Sequence, residues 1–220
     1  MARNMDADRL DRPRRRDAEE NRERLLAVAA PVAVREGNNV PMATIAALAG
    51  VGVATLYRSF VDREALINAL QFRAYGFLNE ILDEIETLGL SGLDSIGEFL
   101  TRALAISDQL VLPLHGAPPL ISSEATAARQ SIDRRLERFI AQGRAEGGIA
   151  APVNATDIIV FSALVTRPLP NSPCWPELAA RQVATFLNGL ADNGPIDVPG
   201  PAISQHDIET AFASSEAPAP

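Results

Sequence analysis

Lysine is absent from this chain of 220 residues; all 20 basic side chains are arginine. Its absence excludes Schiff-base chemistry, a lysine nucleophile and a phosphate-binding loop built on lysine. A single cysteine, Cys174, excludes a disulfide framework and any metal site made of thiolates. Two histidines, His115 and His206, are too few for a multi-histidine metal centre, so neither metal nor cofactor is expected. No stretch approaches the ~18 uncharged apolar residues that suggest a membrane span. The charged residues from Met1 to Arg24 leave no room for the apolar segment of a signal peptide. The expectation is a soluble cytoplasmic protein with no membrane partner.

Against these absences stand an apolar fraction of 47% and a net charge of −8. That fraction suffices for one substantial core or two modest ones. The net charge excludes a uniformly basic nucleic-acid coat, but the charge is unevenly placed. Residues 1–75 carry 12 Arg and 10 acidic residues, whereas residues 76–220 carry 8 Arg and 18 acidic residues. Within residues 1–16 lie six arginines, including the run Arg14, Arg15 and Arg16. A basic arm ahead of an acidic body can bind a polyanion. An ordinary solvated tail has the same composition.

Helical periodicity recurs along the chain, and strand alternation is nearly absent. Leu25, Val28, Ala29 and Val32 mark a first helix, interrupted by Pro31 and closed at Gly37. Two short apolar faces follow, Ile45, Leu48 and Ala49, then Leu56 and Phe60. Asp62 is placed to cap a much longer helix carrying Ile67, Leu70, Ala74, Phe77, Ile81 and Ile85, to about Leu88. A helix through Ile96, Phe99, Leu100, Ala103 and Ile106 is expected to reach about Leu112. Another carries Ile132, Leu136, Phe139 and Ile140 and stops at Gly147. A very apolar helix capped by Asn154 and a last helix ending near Leu190 complete the body. The fold class is all-α, with about nine helices. Three domain assignments follow: an amino-terminal unit over 17–64, a larger helical body over 65–193, and flexible tails at 1–16 and 194–220.

The segment Met42 to Phe60, MATIAALAGVGVATLYRSF, is the most informative. Two short amphipathic helices flank a tight turn at Gly50-Val51-Gly52, and Gly50 permits the positive φ that a sharp turn needs. Small residues at Ala46, Ala47 and Ala49 let the second helix cross the first closely. This is the pattern of a helix-turn-helix, whose second helix enters the DNA major groove. The outward face of that helix offers Thr55, Tyr57, Arg58 and Ser59, groups able to bond phosphates or base edges. A two-helix corner with no DNA role has the same periodicity.

The segment from Arg24 to Leu70 resembles the DNA-binding domain of the TetR family of transcriptional regulators. The likeness rests on the helix ending REG, then IAALAGVGVATLYRSF, then DREAL at the start of the long helix. The GVGVATLY form is similar to an actinobacterial-type subgroup. The resemblance implies that Thr55, Tyr57 and Arg58 contact DNA, while Thr44 and Arg63 reach phosphates from helix ends. It also implies a homodimer on a palindromic operator, with the last two helices pairing about Ile158, Phe161, Leu164, Val183, Phe186 and Leu187. Several positions depart from the family pattern. Gly52 and Ala54 stand where Ser and Gly are frequent, Val53 where lysine is common, and Ser59 where a larger side chain is usual.

The function expected is a TetR-like regulator, most simply a repressor, released by a small and mostly apolar effector of unknown identity. Phe77, Ile81, Phe99, Ala103, Leu110 and Phe139 are expected to surround its cavity, with His115 as a polar anchor. Cys174 and Trp175 read as a buried anchor before the last helix. The alternative is a small helical enzyme or lipid-type binding protein whose amino-terminal corner is structural. The scarcity of His, Cys and Lys weighs against an enzyme.

Overall fold

The computed structural model describes residues 5–36, 41–120, 122–169, 174–191, 204–207 and 210. Among them the protein is all-α, with eight α-helices and two single 3-10 turns. α1 spans Met5–Glu36, α2 Met42–Leu48, α3 Val53–Ser59 and α4 Arg63–Thr87. α5 covers Gly92–Ala105, α6 Ser123–Ala145, α7 Ala155–Val165 and α8 Trp175–Leu190. No single helix among the described residues is long and apolar enough to cross a membrane.

The elements obey local chemistry. The Asp62 carboxylate accepts from Ala65 N at 2.7 Å and starts α4. Ser91 and Ser122 cap α5 and α6 in the same way. Asn154 and Asp157 form a reciprocal capping box at the start of α7. α1 passes through Pro31, and it begins at Met5 rather than at the expected boundary of residue 17. Gly37, expected to close it, lies outside the described residues, as does most of the expected tail from residue 194.

Two hydrophobic cores share α4. The amino-terminal core holds Leu25, Ala29, Ile45, Leu56, Phe60 and Leu66 together with Leu70. The body core takes Ala74, Leu78, Leu82 and Ile85 from the same helix, with Ile96, Phe99, Leu100 and Leu136 from the helices packed around it. The changeover falls at Gln71, inside α4 and beyond the expected domain boundary at residue 64. This side chain is fully buried; its Nε2 donates to Pro118 O at 2.8 Å, while Oε1 has no partner.

α5 ends at Ala105, well short of the expected Leu112, because the backbone leaves helical geometry at Ile106 (φ −108°, ψ 19°). Ser107 and Asp108 follow, residues whose side chains compete for backbone groups in a helix. Gln109 then accepts a 2.6 Å bond from Arg73 of α4, which draws the segment toward the amino-terminal domain. From here successive residues face opposite cores. Leu110 belongs to the body core, Val111 to the amino-terminal core, and Ala117 to the amino-terminal core again.

α5 and α6 touch through backbone. A Cβ added at Gly92 would overlap Gly143 N and Phe139 O, so only glycine allows this approach. α6 is also tied to α4 by ion pairs from Arg135 to Asp83 and from Arg138 to Glu86. On α7, Ile158, Ser162 and Val165 recur at helical spacing and face inward, whereas Val160 and Leu164 face outward. On α8, Ala179, Val183 and Leu190 face inward.

Candidate nucleic-acid interface and interior cavity

The turn between α2 and α3 follows from its two glycines. Gly50 adopts φ +64°, a left-handed conformation that side chains rarely tolerate, and Gly52 precedes α3 in extended geometry. The two helices meet at 106°, within the range of a helix-turn-helix. Leu56 and Phe60 are buried and hold α3 on the domain. Arg22 of α1 adds a clamp that the sequence pattern did not reveal. Its Nη1 donates to Ser59 O at 2.8 Å, and its guanidinium lies 4.4 Å from the Phe60 ring centre. The clamp closes the carboxyl end of α3, where a cation meets the negative end of the helix.

The face left open is the one the sequence pattern marked. Tyr57 is 48% exposed, and Arg58 is exposed beside it. Arg58 Nη2 donates to Thr55 Oγ1 at 2.9 Å, so one turn of α3 orients its own arginine. Ser59 is half-buried, and its hydroxyl donates to Thr55 O at 3.4 Å. Thr44 lies in the first turn of α2 and Arg63 at the first residue of α4, both half-buried. Arg14, Arg15 and Arg16 fall within the range of α1, but their side chains lie outside the described residues.

One apolar residue on this unit departs from its expected place. Leu48, expected on the inward face of α2, is 55% exposed; the inward set is Met42, Ile45 and Ala46. Val53 at the start of α3 is also exposed. With only two turns in α2, a spacing of three from Ile45 fits either side of the apolar stripe, so sequence periodicity could not decide.

A cavity of about 100 Å³ lies in the body among α4, α5, α6 and α7. Its apolar wall includes Leu78, Phe99, Leu110, Leu112, Ile132 and Ile159. Tyr75, Arg129, Thr156, Ser162, Thr166 and Gln205 add polar atoms. Gln205 is held by a short turn in which Ser204 N donates to Asp207 Oδ2 at 2.8 Å. The Ser204 hydroxyl, followed by that backbone bond, keeps the Asp207 carboxyl below its ordinary value.

Of the residues expected around such a cavity, Phe99 and Leu110 line it. Ala103 and Phe139 are buried in the body core and do not line it. Phe77 is half-buried beneath the Arg73 guanidinium, 4.5 Å from its ring centre, and Ile81 packs against the core edge. His115 lies in the 3-10 turn Pro113–His115. Its ring nitrogens stand 2.9 Å from Leu110 O and 3.0 Å from Ala163 O, so it ties this segment to α7 and does not line the cavity.

The expected dimer residues also separate. Ile158 and Val183 are 0% and 5% exposed and belong to the protein's own core, so no second chain can reach them. Leu164 is 67% exposed; Phe161 and Phe186 are half-buried and stack with ring centres 3.9 Å apart. Leu187 is half-buried and packs toward Gly97 of α5. Cys174, expected to be buried, has an exposed thiol, while Trp175 anchors α8 by donating to Val165 O at 3.1 Å.

Comparison with known proteins agrees with this geometry. Residues 25–70 match the family model described as bacterial regulatory proteins, tetR family. No curated protein matches the chain. A TetR transcriptional regulator from Streptomyces coelicolor is 26% identical, covering 79% of this chain and 99% of its own, with a TM-score of 0.54. A TetR regulatory protein from Mycobacterium vanbaalenii is also 26% identical, over 80% of this chain and 98% of its own, with a TM-score of 0.53. AibR, solved with isovaleryl coenzyme A and operator DNA, shares the fold at 16% identity and a TM-score of 0.62, over 78% and 98% of the two chains. The class defined by fold and site is that of helix-turn-helix proteins with a separate helical body. Residues 25–70 thus match the TetR family's amino-terminal domain, and over about four-fifths of its length the chain is similar to TetR-type transcriptional regulators.

Proposed function

We propose that the protein is a repressor that binds a palindromic operator as a homodimer and leaves it when a small, mostly apolar effector enters the body cavity. It acts by binding, with no catalytic turnover. Tyr57 and Arg58 read base edges, with Thr55 holding the arginine in place, and Ser59 adds a hydroxyl at the end of the same helix. Leu48 and Val53 offer apolar contact to thymine methyl groups. Thr44 and Arg63 reach phosphates at helix starts, and Arg14, Arg15 and Arg16 extend the basic surface along α1.

The observation that carries this reading is the segment after α5. Leu110 and Leu112 line the cavity, whereas Val111 and Ala117 between and beyond them are packed into the amino-terminal core. Anything that displaces the cavity wall must strain the packing beneath α1 and α4, and α4 begins directly after α3. An effector that prefers one arrangement of this segment would therefore shift the spacing of paired recognition helices, which must match grooves about 34 Å apart. The structural neighbour AibR, solved with both an acyl thioester and operator DNA, supports a shared two-ligand architecture.

Pairing of two chains would use the outward stripe of α7 and α8, with Val160, Phe161, Leu164 and Phe186 at its centre. Selection of duplexes from a random DNA pool by the full-length chain tests the whole reading. Enrichment of a palindrome with half-sites one helical turn, or a small multiple of it, apart is expected. A pool that emerges unenriched contradicts it.

A further inference from the structure

The body cavity reaches the surface. Among its lining residues Leu114 is 40% exposed, and Gln205 comes from beyond α8, the last helix of the body. The thirteen residues 192–204 span up to about 45 Å when extended, enough to bring the chain back from the end of α8 to the cavity.

Around Gln205 the chain forms one helical turn with its own cap. Ser204 N donates to Asp207 Oδ2 at 2.8 Å and Asp207 N to Ser204 Oγ at 3.3 Å, a reciprocal capping box. Thr210 Oγ1 donates to His206 O at 2.8 Å, one turn further on. Of the described residues here, Ser204, His206, Asp207 and Thr210 are exposed, and only Gln205 is half-buried. In the sequence, Ile208 and Phe212 follow Gln205 by three and seven residues, the spacing of one helical face; their side chains lie outside the described residues.

A turn this short does not persist alone, because nucleating a helix costs more than its few hydrogen bonds return. Its order therefore depends on the cap and on the surface it meets. The cavity it borders is walled mainly by hydrocarbon, from Leu78, Leu110, Leu112, Ile132 and Ile159. Gln205 brings a carboxamide to that wall, which an apolar molecule would match better. The turn is thus weakly held, at a place that an apolar ligand would use.

We infer that the turn at residues 204–207 is a detachable plug: this part of the chain's own carboxyl-terminal segment docks at the cavity through Gln205, and it and an apolar ligand exclude one another. Docking lowers the apparent affinity of the cavity in proportion to the fraction of chains left open. The role of the plug in release from DNA rests on the reading of this cavity as the effector site.

The test uses full-length chains carrying Cys174→Ser, which removes the sole native thiol. Gln205→Cys or His206→Cys is added, and each chain is alkylated with iodoacetamide, with rates normalised to those of the denatured chain. The docked turn should slow reaction at position 205 by about tenfold relative to position 206. Saturating anilinonaphthalene sulfonate, a dye that fluoresces in apolar surroundings, should bring the two rates together. In the otherwise native chain, Asp207→Ala removes half of the capping box and should tighten binding of the same dye by about fivefold. Asp207 is exposed, so the fold of the body is not at stake in that variant. Equal rates at the two positions without dye, protection that persists or deepens with dye, or dye affinity unchanged by Asp207→Ala would overturn the plug. Operator binding is scored on the same chains. Dye that exposes position 205 yet leaves the selected duplex bound would overturn the effector reading and leave the plug standing.

Discussion

Arg58 shows how a single residue can be legible in sequence and still gain from structure. Its place between Tyr57 and Ser59 marked it as outward-facing; the bond to Thr55 shows that its guanidinium is already oriented. Arg58→Ala should weaken operator binding by about 1–3 kcal/mol and relax the preference at one base pair. Competition binding against single-base operator variants measures both effects, and unchanged affinity with intact folding would contradict the assignment. Two glycines separate packing from propensity at the same scale. Gly92→Ala would force a Cβ into the α6 backbone and should cost about 3 kcal/mol or more. Gly76 lies in α4 with open space around its Cβ direction, so Gly76→Ala should instead stabilise by about 0.5–1 kcal/mol. Chemical denaturation reads both values. Equal effects would show that the α5–α6 approach is looser than described.

Among the elements, the ones read best from sequence were those with strong chemical punctuation. α4 and α7 begin at capping residues and follow sustained apolar patterns, so their existence and extent were visible. α6 was visible only from Ile132, because its first turns from Ser123 carry few large apolar residues. α5 was read too long because Leu110 and Leu112 continue its apolar pattern. They are buried for another reason, since an extended segment alternates between two cores. The cavity set failed similarly. Ala103 and Phe139 share helix faces with the lining Phe99 and Ile132 but sit a turn or two further along, and where along its length a helix borders a cavity is set by partners distant in sequence. Arg22 was missed because a clamp across 37 residues leaves no local signature. Arg22→Ala should destabilise the protein by about 1–3 kcal/mol through loss of a charged hydrogen bond and its ring contact. DNA affinity should fall with base preference unchanged. A changed preference without lost stability would mean that Arg22 touches bases directly.

At the scale of the molecule, the two cores are joined by one continuous helix and one alternating segment. Leu164 is exposed and has little role within its own chain, so Leu164→Arg should yield a folded monomer by light scattering and circular dichroism. Operator affinity should drop sharply, since one helix-turn-helix spans too few base pairs for useful specificity. A stable dimer in this variant would place the interface elsewhere. The apolar character of α7 and of the inward face of α8 was legible in the sequence. Their outward faces were not, because Ile158 and Leu164 look alike until the body core claims one of them.

The most direct measurement of the central claim is a titration of the full-length chain onto its selected duplex across a series of salt concentrations, with stoichiometry scored. Two chains should bind per palindrome, with the logarithm of affinity falling linearly with the logarithm of salt. Arg63→Ala should make that slope shallower without changing which sequence is preferred. Binding that is insensitive to salt, or one chain per duplex at full affinity, would contradict the account of a dimer reading DNA through α3.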